Sequence, residues 1–114
     1  MSVSVVLMTA PSAEKAAEIA RTLVEERLIA CANIVPGVRS IYAWEGKLCD
    51  EAEVLVVMKS TGAVFERLER RIRALHPYEV PEVLQLEVTA GSKPYRDWVT
   101  NHLSLSPASG RGSG

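Results

Sequence analysis

Cysteine, histidine and phenylalanine are scarce: two, two and one among 114 residues. Cys31 and Cys49 lack the dense, even set of a disulfide framework and the close-spaced Cys and His partners of a zinc knuckle. Free thiols in a reducing compartment are expected. With His76 and His102 the only imidazoles, general acid–base chemistry has few players. No glycine-rich phosphate loop, no HxxEH motif and no Ser/His/Asp order is present, so the expectation is a protein that is not an enzyme. Neither sign of charge dominates: 13 Lys+Arg against 14 Asp+Glu leave a net −1. That gives no electrostatic footing on nucleic acid or an anionic membrane. No apolar run approaches the roughly 20 residues that span a bilayer. No basic segment leads into an apolar one near Met1, so no signal peptide is expected and the cytoplasm is the expected location.

What is present is 47% hydrophobic and 24% charged, enough for one core and one domain. Residues 1–103 carry the patterned sequence. From Ser104 to Gly114 the composition is Ser, Gly and Pro-rich, that of a flexible C-terminal tail.

Val3 to Met8 is a nearly continuous apolar run closed by Thr9-Ala10-Pro11, the mark of a central strand buried on both faces. Ser12 then caps a helix whose inner stripe is Ala16, Ile19, Ala20, Leu23 and Val24. Leu28 to Ala32 leads into an extended arm, Asn33–Trp44, in which Pro36-Gly37 requires an edge or a bulge. Glu45-Gly46-Lys47 opens a turn and Glu51–Lys59 returns, completing a hairpin. At about 3.3 Å a residue the arm would reach about 40 Å, against a diameter of roughly 34 Å for a compact chain of this length. The hairpin therefore overhangs its own domain or bends at Pro36-Gly37. Its Ile41, Tyr42 and Trp44 would form an exposed apolar edge of the kind that another subunit covers.

Thr61 can cap a second helix, with Phe65, Leu68, Ile72 and Leu75 inward and the i,i+4 pairs Glu66–Arg70 and Glu69–Arg73 outward. Pro77 stops it at Leu75. His76-Pro77-Tyr78-Glu79-Val80-Pro81-Glu82 is then a stiff connector holding an imidazole, a phenol and two carboxylates. Val83–Thr89 alternates as a half-buried strand, and Pro94 opens a last helix with Tyr95, Trp98, Val99 and Leu103 on one face. The order β-α-β-β-α-β plus a short helix describes an α+β, ferredoxin-like sandwich with a long central hairpin. An RNA-recognition module shares that sandwich, but its aromatics are missing from Val3–Met8.

Four stretches together carry a resemblance: Ala30-Cys31-Ala32-Asn33-Ile34-Val35-Pro36-Gly37, Ser40-Ile41-Tyr42-Ala43-Trp44-Glu45-Gly46-Lys47, His76 to Glu82, and Tyr95-Arg96-Asp97-Trp98. In order and spacing they resemble the CutA family of divalent-cation (copper) tolerance proteins, over about Val3 to Leu103. The resemblance implies a homotrimer, binding of divalent metal with Cu(II) foremost, and a plan similar to the PII signal proteins. Family members proposed to bind copper carry a Cys just before Thr-Ala-Pro and adjacent histidines before Pro-Tyr. Here Met8 and Leu75-His76 occupy those places, and a thioether lacks the charge of a thiolate.

The candidate metal ligands are His76, Glu79 and Met8, with Tyr78 and Glu82 completing a mixed nitrogen and oxygen site. His76 could equally cap the end of its helix, Met8 could be core, and Tyr78 and Glu79 could serve packing and ion pairing. Trp44, Glu45, Lys47, Tyr78, Glu82 and Trp98 are the other cleft or interface candidates. Cys31 reads as a small buried hydrophobe, and Cys49 as an exposed thiol near the hairpin tip. The alternative function is a PII-like module that holds a small anion or a partner segment in the clefts between subunits, with Arg39, Lys47, Lys59 and Glu79 in the leading roles.

Overall fold

The structure, a computed structural model, describes residues 2–104. Its elements run β1 (Val3–Ala10), α1 (Ala13–Glu25), β2 (Cys31–Trp44), β3 (Lys47–Thr61), a 3-10 turn (Gly62–Val64), α2 (Phe65–Leu75), β4 (Leu84–Glu87) and α3 (Lys93–Ser104). The four strands form one antiparallel sheet in the order β2-β3-β1-β4. The expected tail lies outside the described residues, save Ser104, which ends α3.

Helix α1 forms as its sequence requires. Ser12 is extended and its hydroxyl accepts the Lys15 amide, while Ala16, Ile19, Ala20 and Leu23 are buried. The helix closes with Arg27 in the left-handed region at φ 63°. The Arg27 amide bonds the Val24 carbonyl and the Leu28 amide the Leu23 carbonyl, a Schellman closure on a residue that is not glycine.

Helices α1 and α2 cover one face of the sheet, enclosing Val6, Met8, Val56 and Met58 with Ile19, Leu23, Leu68 and Ile72. Strand period 2 turns the odd-numbered residues of β1 and β3 to the other face. There α3 docks at one end, burying Val99 and Leu103 against Val3 and Ala30. The rest of that face stays open. Val5 and Leu7 are only partly buried, and Leu84 and Leu86, which pair with Leu7 and Val5 across β4, are 56% and 53% exposed.

Several expectations are corrected. β1 is fully buried on one face only, because no second layer covers the other beyond α3. β4 is four residues long and exposed throughout, since it is an edge strand on that uncovered face. Thr61 makes no capping bond: a 3-10 turn intervenes, α2 starts at Phe65, and the Thr61 hydroxyl is buried without a partner. Arg73 meets Glu69 at 3.5 Å, but Arg71 grips Glu26 beyond α1, and no Glu66–Arg70 pair forms among the described residues. Trp98, on the inner face expected for the last helix, is half-exposed while Val99 and Leu103 are buried.

The hairpin is longer than expected. Its turn is Glu45-Gly46 alone, with φ 52° and 80°, so Lys47 to Asp50 belong to β3. Two left-handed residues suit the twist of a two-residue hairpin turn. Ladder pairs continue out to Trp44 with Lys47. The chain is accordingly elongated, 48 × 31 × 23 Å with a radius of gyration of 15.0 Å, against about 13 Å for a compact domain of this size. Overhang and bend both occur, because the bulge falls at Pro36-Gly37.

Candidate functional site

The bulge interrupts the β2–β3 ladder once. Val35 pairs with Leu55 and Val38 with Glu53, so β2 spends one more residue than β3 across Pro36-Gly37. Gly37 takes φ +83°, open to glycine and strained for other residues. Before the bulge the odd residues Cys31, Asn33 and Val35 share a face with Leu55 and Val57. After it the even residues Ser40, Tyr42 and Trp44 share that face with Glu51 and Glu53. The ladder thus sets two aromatic rings on the face of two carboxylates.

The proline-framed connector closes the other side. His76 is 7% exposed and both ring nitrogens are engaged: Nε2 lies 2.7 Å from the Thr9 carbonyl oxygen, and Nδ1 accepts the Tyr78 amide at 3.1 Å. A carbonyl can only accept and an amide only donate, so the ring is the neutral Nε2–H tautomer. The Tyr78 ring rests against it, centroids 4.6 Å apart. From there the Tyr78 hydroxyl donates to Glu53 Oε2 at 2.6 Å, and the Tyr42 hydroxyl donates to Glu51 Oε1 at 3.0 Å.

These contacts wall a cavity of about 610 Å³ whose charged lining is Glu51, Glu53, Glu79 and Glu82 and whose rings are Tyr42, Trp44 and Tyr78. No basic side chain lines it. Both phenols are held protonated. Tyr42 is pushed up to about 12, chiefly by its hydrogen bond to Glu51. Tyr78 is pushed further, by burial first and then by the bond to Glu53. Each phenol therefore stays a donor over the ordinary pH range.

Of the residues singled out from sequence, Trp44, Tyr78, Glu79 and Glu82 come together here. His76 stands behind Tyr78 and fixes it. Met8 does not reach the cavity: its side chain is fully buried in the core beside Val56 and Met58. Glu45 and Lys47 sit at the hairpin turn, and Trp98 stacks near Tyr95 on α3 at 5.6 Å. Arg39 is bound bidentately to Asp50, and Lys59 contacts Asn33 and Cys31, so the cations expected to serve an anionic ligand are elsewhere. Cys31 is half-buried beside Tyr95 and Lys59 rather than a core hydrophobe, because it lies on the sheet face that the helices leave open. Tyr42, Glu51 and Glu53 were missed as site residues. The alternation Glu51-x-Glu53 opposite Ser40-x-Tyr42 could have shown them once the bulge was counted.

The donor set does not fit a preformed metal centre within one chain. Among the described residues no three His, Cys, Asp or Glu side chains are gathered closely enough to hold an ion. The geometry offers instead an acidic, aromatic-walled recess without a basic residue in its lining.

The fold and this recess define an α+β domain with an open sheet face and an acidic cleft under a protruding hairpin. Comparison with known proteins narrows the class. The profile of the CutA1 divalent ion tolerance protein family matches residues 4–102. The divalent-cation tolerance protein CutA of Thermus thermophilus is 50% identical over 95 residues, covering 83% of this chain and 92% of that one. Protein CutA of mouse is 45% identical over 98 residues, covering 86% of this chain but only 55% of the mouse protein. The crystal structure of CutA1 from Oryza sativa superposes with a TM-score of 0.88 at 37% identity, covering 93% of this chain and 97% of that one. The chain belongs to the CutA1 divalent ion tolerance family.

Proposed function

We propose that the chain is a homotrimeric, cytoplasmic binding protein of ferredoxin-like subunits. It takes up divalent cations, Cu(II) foremost, at the acidic cavity, and it does not act as a catalyst. The observation that carries this reading is the recess itself, whose lining holds four carboxylates and no basic residue. Such a field concentrates cations. Glu79 and Glu82 on the rigid connector, with Glu53 behind them, offer oxygen donors. His76 joins them only by releasing the Tyr78 amide or the Thr9 carbonyl, and Met8 takes no part. The open sheet face supports assembly with further copies: Leu84 and Leu86 there continue an apolar row with Leu7, Val5, Leu55 and Val57. Copies packed on that face would bring further donors to a site that one chain leaves incomplete.

Isothermal titration of Cu(II) into wild type, Glu53→Gln and His76→Ala tests it. Glu53→Gln is expected to weaken binding about tenfold or more, about 1.4 kcal/mol. Equal affinity in that variant would move the ion elsewhere, and equal affinity in His76→Ala would remove the imidazole from the ligand set.

A further inference from the structure

The recess is aromatic as well as acidic, and a metal ion makes no use of that. Divalent ions require several donors meeting at about 2.0–2.6 Å, whereas here the carboxylates are distributed over the hairpin and the connector. An alkylammonium chain has the opposite requirement. Its charged ends suit separated carboxylates, and its methylenes and ammonium heads suit the faces of Trp and Tyr rings.

Glu53 adds an independent observation. It is 8% exposed, it lines the cavity, and no Lys, Arg or His lies within ion-pair distance of it among the described residues. Its side chain accepts the hydrogen bond that the Tyr78 hydroxyl donates to Oε2. A buried carboxylate without a countercharge is costly, and a ligand that carries the missing charge offsets that cost. The volume of about 610 Å³ falls among small-molecule sites, which run roughly 300–1,000 Å³.

We infer that this cavity binds an aliphatic di- or polyamine, with Glu53 holding one ammonium, Trp44 and Tyr42 covering the alkyl chain, and Glu79 or Glu82 holding the far end. The inference rests on the cavity being a cation site, as in the preceding reading, but not on a metal ion binding there.

The test uses the full chain, freed of metal by dialysis against chelator, titrated with spermidine by calorimetry at low salt and at about 0.15 M NaCl, where exposed charges are largely screened. Saturable binding that survives salt is expected. Trp44→Ala should weaken it roughly 3- to 30-fold, and Glu53→Gln should weaken both spermidine and Cu(II) binding. Circular dichroism confirms that each variant is folded. Spermidine binding that ignores Trp44→Ala, or that vanishes at the higher salt, would overturn the inference as mere surface charge. Absence of spermidine binding in wild type, with Glu53→Gln dissociating the assembly, would overturn it by showing that a neighbouring copy supplies the cation. Cu(II) bound without spermidine overturns this inference alone; spermidine bound without Cu(II) supports it and overturns the metal reading.

Discussion

The Tyr78 hydroxyl donates to Glu53 Oε2 at 2.6 Å, tying the turn after α2 to the hairpin. The phenol ring also packs at a tilt against His76, so one side chain links the connector, the imidazole and the buried carboxylate. Tyr78→Phe keeps the ring and removes the donor. Leaving a buried carboxylate without its hydrogen bond should cost on the order of 1–3 kcal/mol, read as a lower urea midpoint at neutral pH. An unchanged midpoint would show that the hydroxyl does not secure Glu53.

High pH should act through the same phenols. Tyr42 and Tyr78 are both raised above their ordinary value of 10.0 in the folded chain, Tyr42 to about 12. A raised pKa means that the native state holds its proton where the unfolded chain has lost it. The associated stability is therefore complete below about pH 10 and is lost as pH rises through the folded values. Thermal unfolding between pH 9 and 12 should fall in wild type and fall less steeply in Tyr42→Phe/Tyr78→Phe. Parallel slopes would contradict the assignment.

Deleting Gly37 should remove the bulge without removing the site. One surplus β2 residue lies between the pairs Val35–Leu55 and Val38–Glu53, so its loss sets Pro36 opposite Val54 and leaves every later pair, and hence every side-chain face, unchanged. Tyr42 and Trp44 would stay on the cavity face while the core around Met8 and Ile72 stayed packed. Retained far-ultraviolet dichroism with retained cation binding is the expected result, and lost binding would contradict the register argument.

His102 gives a prediction away from the cavity. Its Nδ1 accepts from Arg27 Nη1 at 2.8 Å and its Nε2 donates to the Val24 carbonyl at 3.1 Å, pinning α3 to the end of α1. His102→Ala strands both partners and should cost on the order of 1–3 kcal/mol. Hydrogen exchange should accelerate first in Lys93–Ser104, and uniform acceleration over the whole chain would contradict a local tie.

Much of the fold was legible in the sequence because its signals are local. Ser12 capped where it should, Pro77 ended α2 at Leu75, and Pro36-Gly37 produced the bulge. The misses came from long-range effects. Whether Leu84 and Leu86 are buried depends on what covers a sheet face, which alternation within β4 does not encode. Thr61 has the chemistry of a cap but sits at the end of a strand that closes with a 3-10 turn. At the site, Glu79 and Glu82 were visible because two prolines flag their turn. Glu51 and Glu53 resembled an ordinary solvated strand face until the register set them against Tyr42 and Tyr78.

Leu86→Asp places a charge on the open sheet face opposite Val5. If copies meet there, this variant should be a folded monomer at micromolar concentration. A variant that keeps the wild-type assembly would show that β4 is not the contact.

Light scattering on the wild-type chain in solution addresses the assembly on which the completed cation site depends. The predicted mass is about three times the 12.4 kDa of one chain, unchanged on dilution through the micromolar range. A mass of 12.4 kDa would contradict it, leaving the sheet face bare and the cavity walled by one chain alone.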